Sequence, residues 1–315
     1  MIRTIRVSAA GAIALLWWSS VTLSAQTIQN PLATTGHEVN ASLSHYNYTE
    51  PGDMPISLHG IKFGGEYTGA LSLNKTHHWF AQANVRGTIG EVTYDGWCSP
   101  YLITPNSDSP NGYELGVGDA SPCSDSGNKD WYFEGRFLVG KDLIGHSWAL
   151  SPYAGLGFRH LSNGISGLSG YRTDDYLYLP LGATTRTQVG SQRVLSFNVE
   201  YDHLIHGWQK TRDSALGGGV VPATDTAPEF TIEGFSDISF AQSSGWALRA
   251  SASIPITTHW SVEPYYIRWS VGASPVNYGL ATFTVNDITA VQQVGFYEPA
   301  NVTSEFGVKL ALRFK

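Results

Sequence analysis

Residues 58–89, LHGIKFGGEYTGALSLNKTHHWFAQANVRGTI, decide the fold. Ile61, Phe63, Tyr67, Leu71 and Leu73 sit at even spacings, and Lys62, Glu66, Thr68 and Ser72 fall between them. After Asn74-Lys75-Thr76-His77 the alternation resumes, with Trp79, Ala81, Ala83, Val85 and Ile89 set against Gln82, Asn84, Arg86 and Thr88. Successive side chains of a strand point to opposite faces, so each run has one apolar side and one polar side. Two such runs joined by a tight turn read as an antiparallel hairpin.

The pattern recurs along the chain. A first strand spans roughly His37 to Tyr48, and a fourth sets Trp131, Phe133, Phe137 and Val139 opposite Tyr132, Glu134 and Arg136. Trp148–Leu161 and Tyr176–Gly182 follow, then Leu195, Phe197, Val199 and Tyr201 against Ser196, Asn198, Glu200 and Asp202. An eighth strand lies near Trp246–Ile254, a ninth near Trp260–Val271 whose two faces do not separate, and a last places Phe306, Val308, Leu310, Leu312 and Phe314 opposite Glu305, Lys309 and Arg313. The links are by turns very short and very long, the long ones covering 95–129, 207–240 and 272–303. Ten strands put both chain ends on one side and all three long links on the other, which is the signature of an up-and-down barrel of the bacterial outer membrane. Trp79, Trp148 and Trp260 start upward strands while Trp97 and Trp208 follow outer ends, as two interfacial girdles require. Pro152, Pro180 and Pro264 read as strand ends or bulges, since proline cannot donate to a ladder. The expectation is all-β: a single transmembrane antiparallel barrel of about ten strands, with short periplasmic turns and long extracellular loops.

The N-terminus agrees with that address. Arg3 and Arg6 precede an apolar stretch from Ala9 to Trp18, and Leu23-Ser24-Ala25 offers a small-residue cleavage site, so residues 1–25 read as a signal peptide and 26–315 as the barrel domain. Without Arg3 and Arg6 the chain has 17 basic and 26 acidic residues, a balance that argues against nucleic acid as a partner. Outer-membrane lipid, lipopolysaccharide and the barrel-assembly machinery are the partners such a chain implies; the extracellular ligand is not legible. Cys98 and Cys123 share one outer loop, and in an oxidising envelope a disulfide between them is expected.

The inward faces carry Lys62, Glu66, Arg86, Glu134, Arg136, Glu200, Asp202, Arg249, Lys309 and Arg313, with both signs in similar number. A barrel of about eight strands is filled by its own side chains, and open pores need roughly sixteen. Ten strands with mixed charges therefore imply a lumen largely closed by paired residues.

One segment bears on chemistry. His160 and Ser162, in His160-Leu161-Ser162-Asn163-Gly164, lie two apart and so share a face with Leu156 and Phe158, the face read as lipid-facing. A histidine beside a hydroxyl at the outer leaflet is what lipid ester hydrolysis needs, with a carboxylate to hold the imidazole. Ser-Asn-Gly is equally ordinary turn chemistry. The segment resembles that of outer-membrane phospholipase A and, less closely, of the lipid A 3-O-deacylases, whose orienting residue lies twelve positions after the serine. The resemblance implies His160 as base, Ser162 as nucleophile and Asp174 as orienter, with calcium as a cofactor of the phospholipase type. The phospholipase's calcium-loop pattern is replaced here by Ile165-Ser166-Gly167-Leu168. If Leu177, Leu179 and Leu181 face lipid, Asp175 rather than Asp174 shares their face.

More broadly, Tyr153-Ala154-Gly155-Leu156-Gly157-Phe158-Arg159, Tyr176-Leu177-Tyr178-Leu179-Pro180-Leu181-Gly182 and Glu200-Tyr201-Asp202 resemble a family of outer-membrane barrels with no assigned activity. Asp202-His203 with His206 also hints at the acid and histidine pairs of ten-stranded outer-membrane proteases. Asp95, Asp108, Glu114, Asp119 and Asp125 make the first long loop acidic, a surface for divalent cations or simply a solvated one. The leading reading is a non-enzymatic barrel without cofactor or metal site, either one whose outer loops meet surface partners or shield the membrane, or a narrow-lumen barrel with a slender solute path. The alternative is an outer-leaflet lipid acyl hydrolase.

Overall fold

A computed structural model describes residues 30–314 except 75, 165–171 and 191–192. The signal-peptide reading of residues 1–25, Lys75 of the first turn, the Ile165–Leu168 stretch and Lys315 after the terminal aromatic lie outside the described residues.

Ten long strands form the wall: β1 (Gly36–Glu50), β2 (Ile56–Asn74), β3 (Trp79–Cys98), β4 (Ser121–Lys141), β5 (Trp148–Asn163), β6 (Arg172–Val189), β7 (Arg193–Thr211), β8 (Gly245–Pro255), β9 (Trp260–Val271) and β10 (Asn301–Phe314). Each pairs antiparallel with its neighbour in sequence, and β10 pairs with β1 from His37↔Phe314 to Thr49↔Val302, which closes the sheet. Closure leaves no sheet edge in the wall, the condition for a sheet to stand in hydrocarbon. Ile61, Phe63, Leu71, Ile89, Phe137, Leu156, Val199, Phe306 and Leu310 all project outward and are exposed, as their alternation predicts. On β9 the inner face is also aromatic and apolar, because Tyr265, Ile267, Trp269 and Val271 pack inward against Tyr176, Tyr178 and Leu204. That double apolarity is why its faces do not separate in the sequence.

The three prolines lie inside strands and not at strand ends. Pro152 pairs with Ala183, Pro180 with Asp202 and Pro264 with Val308. Around Pro180 the β5–β6 ladder lapses between Ala154↔Leu181 and Gly157↔Tyr178, and around Pro264 the β8–β9 ladder lapses between Ser251↔Tyr265 and Ile254↔Val262. The register resumes unchanged on the far side, so a missing donor on one flank is tolerated while the other flank pairs.

The wall rises higher than the alternation indicates. β3 and β4 stay paired to Cys98↔Ser121, and β7 runs on to Thr211, beyond the expected loop starts at Asp95 and Gly207. Above the bilayer no lipid demands an apolar face, so the pattern fades while the ladder still satisfies the backbone. At the point where β3 and β4 leave the wall, Cys98 and Cys123 form the expected disulfide.

The long loops are not separate excursions. The hairpin Tyr101–Pro105/Tyr113–Val117 and a four-stranded sheet ordered Gly219–Val221, Phe230–Phe235, Asn277–Val285, Ile288–Phe296 pack into one cap. Its core is Ile103, Leu115, Phe230, Ile232, Ala281, Phe283, Val285 and Ala290. The side-chain amide of Gln292 accepts from Leu115 N at 2.8 Å and donates to Leu115 O at 2.9 Å, tying hairpin to sheet as a strand partner would.

Inside the wall the expected charges are paired. Arg249 meets Asp202 at 2.6 Å and Glu134 at 2.5 and 2.9 Å; Arg136 meets Glu200 at 2.7 Å; Arg86 meets Glu305 at 2.6 Å. Lys309 bridges Glu66 at 2.8 Å and Glu263 at 2.9 Å, and Lys62 pairs with Asp130. Tyr132 and Tyr265 donate to Glu305, and Tyr178 donates to Glu134, which satisfies remaining acceptor sites. Arg313 donates instead to Ala33 O and Thr35 O. Residues 30–35 are held at the periplasmic end by Thr34, whose amide and hydroxyl donate to Asp142 at 2.7 and 2.6 Å. Beneath the ion pairs a vestibule of about 650 Å³ opens at that end, lined by Glu38, Gln82, Arg186, Arg193, Ser196 and Glu263 among others.

Two outcomes follow. Arg249→Met leaves Glu134 and Asp202 buried without their cation, and should lower stability in urea by roughly 3–5 kcal/mol, measured by the heat- and denaturant-dependent loss of the compact barrel. Cys98→Ser with Cys123→Ser should remove roughly 3 kcal/mol of loop constraint. That loss should show as faster proteolysis between residues 99 and 120 with the membrane barrel intact.

Candidate functional site

β5 leaves the bilayer with Arg159, Leu161 and Asn163 buried on the inner face. The opposite alternation carries Leu156, Phe158, His160 and Ser162 outward, as expected. β4 brings Trp131 opposite Ser162 and Phe133 opposite His160; β6 brings Asp175 opposite His160 and Thr173 opposite Ser162. The His160 and Trp131 rings lie 5.2 Å apart.

His160 Nδ1 is 2.6 Å from Asp175 Oδ1, with both side chains about one-third exposed. A carboxylate on Nδ1 favours the tautomer with its proton there, which makes Nε2 the acceptor nitrogen. Among the described residues no hydrogen bond joins His160 to Ser162 (side chains two apart on a strand stand roughly 6–7 Å apart at Cβ).

Asp174, the position the twelve-residue spacing implies, is not the partner of His160. It pairs in register with Leu161 and is buried on the inner face. The reason is the period of two: Asp174 alternates with the outward Asp175, Leu177, Leu179 and Leu181, so its carboxyl points into the lumen. There it shares a corner with Arg172, Glu298 and Glu50. Arg172 lies 2.9 Å from Glu50 and 3.2 Å from Glu298. Glu298 belongs to the link above the wall; burial pushes its carboxyl up against the pull of Arg172, and Glu50 adds to the rise. Arg172 and Glu298 carry no signal in the sequence, because Arg172 opens β6, Glu298 stands in the last long link, and they only meet across the lumen.

Asp202 and His203 fall on opposite sides of the wall. Asp202 is buried against Arg249, whereas His203 is exposed, and a bulge between Leu204 and His206 turns His206 onto Trp208 at 4.4 Å. The protease-like pairing is therefore not assembled. Asp95, expected in the first outer loop, stands on β3 and lies 3.6 Å from His59 of β2, and among the described residues no three carboxylate, histidine or cysteine side chains gather at metal-binding range.

No protein-family model matches the chain, and no curated protein matches it. Among solved structures it is similar to the outer membrane protease OmpT from Escherichia coli, at 9% identity over 89% of this chain and 97% of that one, with a TM-score of 0.43. It is also similar to the translocator domain of the autotransporter NalP from Neisseria meningitidis, at 12% identity over 91% of each chain and a TM-score of 0.33. An outer membrane channel from Pseudomonas putida F1 matches at 10% identity over 89% of this chain and 96% of that one, also with a TM-score of 0.33. Identities and scores this low carry no activity or ligand across.

Asp175→Asn should change the tautomer balance of His160, read from its ring nitrogen shifts by NMR, and Asp174→Asn should leave those shifts unmoved. The closed wall, its outward apolar band and its tryptophans at both rims identify the chain as a β-barrel of the bacterial outer membrane.

Proposed function

We propose that this barrel is a non-conducting, non-enzymatic anchor that holds a folded acidic cap at the cell surface for contact with surface partners. The observation that carries this reading is the joint packing of three long loops around one apolar core, above a lumen crossed by ion pairs. A solute path needs an open interior, and ten strands filled by Arg249, Arg136, Arg86 and their carboxylates leave little. Loops that only shield a membrane need no shared core. A rigid cap instead presents a fixed surface, which lowers the ordering cost of binding. In planar bilayers the refolded protein should give no steady ohmic conductance; stable current steps at neutral pH would sink the anchor reading.

A second reading is favoured by one contact, His160 to Asp175 on the outward face beside Ser162. In it, His160 Nε2 takes the Ser162 hydroxyl proton as Oγ attacks a lipid acyl carbonyl. The proton then passes to the departing alcohol, and water, deprotonated by His160, releases the fatty acid from Ser162. The protein should then release fatty acid from phospholipid or lipopolysaccharide, with Ser162→Ala slower by roughly a thousandfold or more. Absence of release from both lipids by the wild type, with and without calcium, ends this second reading.

A further inference from the structure

The cap sheet has a free edge. Ile288–Phe296 pairs with Asn277–Val285 through the two-residue turn Asn286-Asp287, whose residues take φ of 47° and 65°. On its other side it pairs with no strand among the described residues. The sequence of that edge, Ile288-Thr289-Ala290-Val291-Gln292-Gln293-Val294-Gly295-Phe296, has no charge and no proline. Natural edges are guarded by lysine, proline, bulges or a covering element; this nine-residue edge has no lysine, proline or bulge and no further strand partner among the described residues, which makes it a template for another strand. Ala290, Gln292 and Val294 face the cap core or its rim, whereas Val291, 60% exposed, points to solvent with Leu280 and Tyr278 of the neighbouring strand. The edge therefore offers backbone pairing together with an apolar strip.

Charge chooses among strands. The three long loops, 95–129, 207–240 and 272–303, carry twelve carboxylates and three basic side chains, while the rest of the chain after residue 25 carries fourteen of each. The cap itself, residues 101–117, 219–235 and 277–296, carries six of those carboxylates and no basic side chain. Asp287 stands at the turn that opens the edge strand, and Glu233 stands two strands in on the solvent-side face, where Thr284 of the intervening strand donates to it at 2.8 Å. A second copy of the chain brings the same negative charge to the contact and is repelled; a basic strand is attracted.

We propose that Ile288–Phe296 is a β-augmentation site for an extended, basic polypeptide segment of a surface partner, an inference that rests on reading the cap as a contact surface. The test uses the full refolded chain in neutral detergent and three ten-residue probes. One alternates lysine with valine and threonine, a second replaces its lysines by glutamate, and a third is the basic peptide with alternate amides N-methylated. Hydrogen exchange should slow tenfold or more at alternate amides of 288–296 with the first probe only. Val291→Lys, a solvent-facing change, should abolish that protection, and Val291→Glu should strengthen it.

No protection by the basic peptide, equal protection by the acidic one, or binding indifferent to Val291→Lys each overturns the proposal. Protection that appears without peptide and grows with protein concentration, together with a doubled mass in sedimentation, overturns it in favour of self-pairing. Conductance in bilayers tests the anchor reading separately, so the two can fail independently.

Discussion

Closure of β10 on β1 is the constraint on which the molecule depends. In hydrocarbon an unpaired amide or carbonyl costs several kcal/mol, so a sheet stands in lipid only when its last strand finds its first. Once closed, every alternate side chain is committed: one set to lipid, the other to a narrow lumen. The register from His37↔Phe314 to Thr49↔Val302 puts Glu305 and Lys309 inside and Phe306, Val308 and Leu310 outside, so a slip of one residue would invert the whole strand.

The interior follows from that commitment. Ten strands bring side chains from opposite walls within reach, so Arg86 of β3 meets Glu305 of β10 and Arg249 of β8 meets Glu134 of β4. Lys62, Arg86, Arg136, Arg249 and Lys309 each have a counter-ion, and Glu305 and Glu134 also accept from tyrosine hydroxyls, since a charge left alone there would be far more costly than the pair. The network does not argue for unusual stability, but it does close the lumen with groups that cannot individually leave. Below it the vestibule stays open to the periplasm; above it the cap sits on the extended wall.

The cap obeys the rule of any small domain. Each loop alone has too little apolar surface to fold, and the eight core side chains come from all three. Beyond the bilayer the outward alternation lapses and a new core forms, so the molecule has an apolar exterior in its lower part and an apolar interior in its upper part. The open edge at Ile288–Phe296 belongs to that upper part, where water and partners can satisfy what the wall must satisfy by closure.

His160 and Ser162 were legible together because two residues apart on a strand means one face. Asp175 was legible as an alternative to Asp174 only through the leucines that alternate with it. That Asp175 stands opposite His160 depends on the β5–β6 register, which no local pattern states. What the sequence by itself determined was the class of fold, the count of wall strands, the sidedness of nearly every wall residue and the disulfide, because a period of two is local. Tertiary structure alone decided which inward charge meets which, how far the wall rises above the bilayer, and that three distant loops make one cap. Those are matters of closure and of contacts between residues up to two hundred positions apart or more, such as Arg86 and Glu305, and no window of sequence contains both partners.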